Sequence, residues 1–142
     1  MDKAIFLDRD GVLNKVVISK ETKKIRPPYS KNELKICYDN IKNLNKIRDK
    51  YLFFIITNQP DIKKGLQTEE FNNYINSRIL KLISINEICT CFCYEDDRDC
   101  FCYKPRPGMI FDMKKKWKID LKKSFVIGDR WRDIGAGINA GC

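Results

Sequence analysis

The chain has 142 residues, enough for one domain with a sizeable buried core and too few for two of ordinary size. Its composition, 43% hydrophobic and 33% charged, excludes a disordered chain. No apolar run approaches the roughly 18 residues that a membrane span needs. The apolar run within Met1–Asp8 is too short for a secretory leader, so a cytoplasmic protein without membrane contact is expected.

Lys plus Arg number 28 against 19 Asp plus Glu, a net charge of +9 that favours anionic partners. The lysines are scattered, and the densest run, Lys114-Lys115-Lys116, reads as the solvated face of a helix. A small phosphorylated molecule is therefore expected ahead of nucleic acid, bound by a monomer. There is no His, which excludes every mechanism that needs imidazole as base, the Ser-His-Asp triad included. Of the seven Cys, five fall between positions 89 and 102. An odd count without a leader makes a poor disulfide framework, so this cluster points to a metal.

In chain order, residues 3–7 read as a short buried strand. Residues 8–33 are polar, with Arg26-Pro27-Pro28 as a breaker. Apolar residues at Leu34, Ile36, Ile41, Leu44 and Ile47 predict a helix within 34–50. Tyr51–Ile56 is continuously apolar, as a strand buried on both faces should be. Thr68-Glu69-Glu70 predicts a helix start, continued by Phe71, Ile75, Ile79, Leu82 and Ile83. Residues 85–90 read as a strand, 91–108 as a Cys-rich loop, 109–117 as a helix and 124–127 as a strand. A last helix over 133–140 is ended by Gly141.

Strands alternating with helices predict an α/β fold with a parallel sheet, whose ligands bind beyond the carboxyl ends of the strands. At those ends stand Asp8-Arg9-Asp10-Gly11, then Thr57-Asn58-Gln59, then Gly128-Asp129-Arg130 with Asp133. Several carboxylates gathered at one edge repel one another, and a divalent cation resolves the repulsion. Oxygen ligands without His suit Mg²⁺, which keeps waters and bridges to phosphate. One Asp can then attack phosphorus, and a second can protonate the leaving oxygen. Lys104 and Thr57 are natural donors to phosphoryl oxygens.

These residues carry a resemblance. Asp8-Arg9-Asp10-Gly11-Val12-Leu13-Asn14, Ile56-Thr57-Asn58-Gln59, Lys104-Pro105-Arg106-Pro107-Gly108-Met109 and Gly128-Asp129-Arg130-Trp131-Arg132-Asp133 resemble, in order, the four motifs of the haloacid dehalogenase (HAD) superfamily of phosphatases. The Arg-Pro-Pro turn and the Cys-rich loop are similar to its branch of heptose-bisphosphate and histidinol phosphatases. The resemblance covers residues 3–142, read as a single domain. It implies a Rossmann-like parallel sheet flanked by helices, with a minimal cap and the last strand of the family missing. That leaves residues 124–127 at a sheet edge.

The resemblance also implies Asp8 as nucleophile and Asp10 as acid/base. It implies Mg²⁺ held by Asp8, the main-chain carbonyl of Asp10 and Asp129, and a phosphoryl group steadied by Thr57 and Lys104. Asp133 would support Lys104 or the metal. Asn58, Gln59, Arg26, Arg106 and Arg130 are the expected substrate contacts. Cys91, Cys93, Cys100 and Cys102 offer four soft ligands for a structural Zn²⁺ over 91–102, with Glu95 or Cys89 as substitutes for one of them. Cys37 and Cys142 read as ordinary small residues.

The branch carries His where this chain has Cys93, Arg where it has Tyr103, and Ser-Gly or Pro-Gly where it has Pro60-Asp61. The expected activity is a phosphomonoesterase acting on a sugar phosphate of the heptose-bisphosphate kind. Histidinol phosphate and nucleic-acid 3′-phosphates are the alternative substrates, and a non-catalytic, zinc-stabilised binding module is the alternative class.

Overall fold

A computed structural model describes residues 1–142. The longest apolar runs become adjacent strands, β1 (Ala4–Leu7) and β4 (Leu52–Asn58). Together with β5 (Glu87–Cys91) and β6 (Phe125–Ile127) they form a parallel sheet in the order β5-β4-β1-β6. The pleat sorts their side chains between two layers. Ala4, Phe6, Phe54 and Ile56 face one side, beneath Met109, Ile110 and Met113 of α4 (Gly108–Trp117) and Ala136 of α5 (Trp131–Ala140). Ile5, Leu7, Phe53 and Ile55 face the other, against Ile41 and Leu44 of α1 (Tyr38–Asn45) and Ile75 and Ile79 of α3 (Glu69–Leu80). The predicted start of α3 is the observed one, with Thr68 Oγ1 accepting from Phe71 N at 3.1 Å. β6 is an outer strand that leaves Phe125 and Ile127 exposed, as expected for residues 124–127.

Three stretches differ from the sequence reading. The helix expected within 34–50 begins only at Tyr38. Before it, Lys15 N donates to Lys35 O at 2.8 Å and Cys37 N to Leu13 O at 2.9 Å. These bonds draw residues 35–37 into extended pairing with residues 13–15 at the end of the first motif, overriding their helical spacing. Within the polar stretch 8–33 lies a hairpin of β2 (Val17–Ile18) and β3 (Ile25–Arg26), whose two-residue strands are too short to show a period. A short helix, α2 (Pro60–Lys63), also begins on a proline where no helix was expected.

The hairpin is held down by charge. Glu33 accepts from both Nη atoms of Arg26 at 2.9 and 2.8 Å and from Tyr29 N at 2.7 Å. The Arg26 bonds, then the Tyr29 N–H, hold the Glu33 carboxyl down at about 2. A depressed carboxyl contributes stability above its unfolded value of 4.5 and loses it as pH falls towards 2. Because the pair is partly exposed, Glu33→Gln is expected to cost about 1 kcal/mol at pH 7. Thermal melts at two pH values check this: the gap to wild type should shrink by roughly half or more by pH 3. An unchanged gap contradicts the assignment.

Candidate active site

The sheet brings the strand ends together. Asp8 leaves β1 with its N–H bonded to Ile127 O at 2.9 Å, which sets the first motif beside the fourth. Asp8, Asp129 and Asp133 then place carboxylate oxygens within 4.8 Å of one another. Gly11, at φ 99°, leaves room for this: a Cβ there would run into the Asp129 carboxylate, just as one on Gly128 would run into Asp133.

Lys104 is 3% exposed, and its ammonium is fully used. Nζ donates to Asp8 Oδ1 at 2.8 Å, Asp133 Oδ1 at 2.6 Å and Ile56 O at 2.9 Å. Burial alone would push its pKa down; Asp8 and Asp133 outweigh that and raise it. Burial raises the Asp8 carboxyl from 3.8 to about 7, opposed by Lys104 and reinforced by Asp133 and Asp10. Asp133 also caps α5, its Oδ2 accepting from Arg130 N at 3.1 Å.

The second motif forms the wall behind this cluster. Asn58 binds the backbone of Lys104 on both sides, accepting from its N–H at 3.1 Å and donating to its carbonyl at 3.4 Å. Gln59 Nε2 donates to Thr57 Oγ1 at 2.9 Å and to Asp10 at 2.6 Å. Thr57 is buried, and since its oxygen accepts from Gln59, its own proton is free to be donated. The Asp10 carboxylate does not join the other three acids. It turns to Arg9, Asn14 and Gln59.

A cleft of about 140 Å³ opens here, lined by Asp8, Asp10, Asn58, Lys104, Asp133 and, at its rim, Arg130 and Arg132, with Ile25 and Pro27 reaching in from the hairpin. Three expected substrate contacts lie elsewhere, the fully buried Gln59 among them. Arg26 is taken by Glu33 and Pro27 O, and Arg106 donates to the carbonyls of Asp97 and Glu95. Neither lines the cleft, because each guanidinium finds acceptors in its own loop first. Arg132, which the sequence reading passed over, takes such a place. It lies over Tyr103 and Trp131 at 5.8 and 5.0 Å, pairs with Glu95 at 2.7 Å and keeps an unpartnered Nε. Arg9, Asn72 and Asn76 were also missed. The available signal was two asparagines on the 72, 75/76, 79 stripe of α3, where apolar residues belong.

Cys91, Cys93, Cys100 and Cys102 gather as the spacing suggests, all four sulfurs within 4.8 Å. They are joined as two disulfides, Cys91–Cys102 and Cys93–Cys100, where thiolate ligands were expected. Glu95 stands apart on Arg132, and Cys89 packs among the core side chains of β5. Neither belongs to the four-sulfur group.

A HAD-hydrolase-like family model matches residues 101–142. The D-glycero-alpha-D-manno-heptose-1,7-bisphosphate 7-phosphatase of Photorhabdus laumondii is 37% identical over 98% of this chain and 78% of that protein. The chain belongs to the HAD superfamily of phosphatases. A second HAD phosphatase, the D-glycero-beta-D-manno-heptose-1,7-bisphosphate 7-phosphatase of Helicobacter pylori strain J99, is 33% identical over 98% of this chain and 79% of its own length. Among solved HAD structures, the D,D-heptose 1,7-bisphosphate phosphatase of B. bronchiseptica, complexed with magnesium and phosphate, superposes with a TM-score of 0.82. It is 28% identical, and the match covers 99% of this chain and 77% of that one. As a HAD phosphatase the chain is a phosphoric monoester hydrolase, and no helix in it is long and apolar enough to cross a membrane.

Proposed function

We propose that residues 1–142 form one catalytic domain that removes a phosphate from a small sugar bisphosphate of the heptose 1,7-bisphosphate class, through a phosphoryl group held on Asp8. One observation carries this reading: Lys104 is buried between Asp8 and Asp133 at the floor of the cleft. A fixed cation there neutralises the acid that must approach a phosphate dianion.

The donor set suits Mg²⁺: hard oxygens, no imidazole, and two carboxylates, Asp8 and Asp129, brought together beside a glycine with room for nothing larger. Asp8, Asp129 and the main-chain carbonyl of Asp10 would hold it, and when bound it supplies charge neutralisation for phosphoryl transfer. The chain's own residues do the rest. An Asp8 carboxylate oxygen bonds to phosphorus as the ester P–O bond breaks, and Asp10 gives its proton to the leaving oxygen. Asp10 then takes a proton from water as that water attacks phosphorus and releases Asp8. The Thr57 hydroxyl donates to a phosphoryl oxygen, and the Lys104 ammonium, its three donors taken by Asp8, Asp133 and Ile56 O, steadies the phosphoryl group by its charge. Asn58 fixes the Lys104 backbone, and Gln59 fixes Thr57 and Asp10. Arg130 and Arg132 favour a substrate with a second anionic group at the rim.

A panel of esters assayed with Mg²⁺ tests the reading by kcat/KM. A sugar bisphosphate should lead over its monophosphate, histidinol phosphate and a 3′-phosphorylated oligonucleotide. No release from any ester overturns the activity, and a lead by the oligonucleotide overturns the substrate class.

The four cysteines are proposed as a zinc site that walls the cleft beside Lys104. Tetrahedral thiolates 2.3 Å from zinc lie about 3.8 Å apart. Cys91–Cys100 and Cys93–Cys102 are 3.7 Å apart and Cys100–Cys102 3.4 Å. Holding the ion requires both disulfides reduced to thiolates. Protein purified under reducing conditions should carry about one zinc per chain and lose thermal stability to a strong chelator, independently of turnover. A metal-free chain with no such loss excludes the site.

A further inference from the structure

Arg9 is completely buried, yet the reaction proposed above leaves it without a task. Its Nε and Nη2 donate to the Asp10 carboxylate at 3.2 to 3.3 Å. Its Nη1 donates to Asn72 Oδ1 and, at 3.0 Å, to Asn76 Oδ1, both on α3 and more than sixty residues away in sequence. Asn72 and Asn76 are themselves buried, one turn apart on the face that α3 turns to the core. Dehydrating a guanidinium costs several kcal/mol, and an apolar side chain in the same place would avoid that cost. What an apolar side chain could not do is grip Asp10 from behind. The planar fork binds one carboxylate edge while two carboxamides fix the fork. Asn14 Nδ2 at 3.0 Å and Gln59 Nε2 at 2.6 Å hold Asp10 from other directions.

We propose that Arg9, locked by Asn72 and Asn76 of α3, is a positioning residue that sets the orientation of Asp10 for proton transfer to the leaving oxygen. The inference rests on the acid/base role of Asp10 proposed above. It ties a helix remote from the phosphate to one chemical step. Arg9 does not line the cleft, so substrate binding and the approach of Asp8 to phosphorus do not depend on it.

The leaving group separates this role from a scaffolding one. An alkyl phosphate expels an alkoxide that needs a proton, whereas p-nitrophenyl phosphate expels a phenolate that does not. The parameter kcat/KM covers the steps up to that expulsion. With Mg²⁺ present, Arg9→Met should lower kcat/KM for glycerol 3-phosphate about 100-fold, and that for p-nitrophenyl phosphate no more than about 3-fold. Arg9→Lys, which keeps the charge and loses the fork, should recover part of the alkyl rate. Asn76→Leu, which frees one anchor and leaves Asp10 untouched, should show the same ester preference at about 5- to 10-fold; it carries the comparison should Arg9→Met not fold. Equal losses on the two esters, or no loss on either, overturn the inference while leaving the phosphatase reading standing. The sugar bisphosphate, itself an alkyl ester, serves as the alkyl arm should glycerol 3-phosphate not be turned over; a wild-type chain inert to it and to both other esters overturns that reading and the inference with it.

Discussion

Asp8→Asn should reduce phosphate release by about 1,000-fold or more on every ester, with Mg²⁺ saturating. The substitution keeps size and shape but leaves a carboxamide, too poor a nucleophile to accept phosphorus. The fold should tolerate it. Asp8 sits with Asp133 on one ammonium, and burial already pushes its carboxyl up to about 7. Loss of one charge relieves repulsion between the two acids, and Asn can still accept from Lys104 Nζ. The expected signature is therefore a chain that melts at or above the wild-type temperature and turns over almost nothing. Acid-quenched wild type given labelled substrate should carry label on protein, and the variant none. Equal release by the two proteins removes Asp8 from the mechanism.

Lys104→Met should be damaging in a different way. It leaves Asp8 and Asp133 buried, with no cation between them and with Ile56 O stripped of a donor. Breaking a buried ion pair from one side costs about 3–5 kcal/mol. For a domain of this size that corresponds to a fall in Tm on the order of 10 °C. The loss should depend on pH, with a sign set by the carboxyls. A carboxyl whose folded pKa is raised above 3.8 binds more protons folded than unfolded, so stability falls as pH climbs from about 4 through 7. The variant should melt closer to wild type at pH 5 than at pH 8. Asp133→Asn added to it should restore part of the stability, because the two substitutions share one network. A melting temperature unmoved at pH 8, or a double variant worse by the full sum of both losses, argues that the triad is not electrostatically coupled. Turnover should fall in either case, since the proposed mechanism relies on the Lys104 charge beside the phosphoryl group.

These two residues were legible for different reasons. Asp8 follows a continuously apolar strand, and a polar turn after such a strand must lie at a sheet end. Lys104 has no such periodic cue, since it emerges from a Cys- and Pro-rich loop. It was a candidate only as a natural donor to phosphoryl oxygens, and its resemblance to a family motif is what assigned it that role. Asp133 reads in sequence as an acid in the first turn of a helix, and it is that, capping α5 through Arg130 N. Its second contact, to Lys104, belongs to the packing of α5 against that loop, where Gly135 lies close to Pro105. Arg26 and Arg106 look in sequence like any other candidate phosphate contact. What removes them is a nearer acceptor, Glu33 in one case and two loop carbonyls in the other, and nearness across a loop is not written in spacing.

The α/β class, the strands on which the site is built, the absence of imidazole chemistry and the four-cysteine cluster were all legible in the order of residues along the chain. Each of those follows from local pattern or residue type: apolar runs, breakers, and side chains that either can or cannot do a given chemistry. The tertiary structure alone decided which charges meet. It turned Asp10 away from the other acids onto Arg9, buried that cation against two asparagines from a distant helix, put Arg132 at the cleft, and folded a hairpin out of a stretch with no period. Those outcomes depend on contacts between residues dozens of positions apart, and a pairwise electrostatic preference has no address until the sheet has closed the distance.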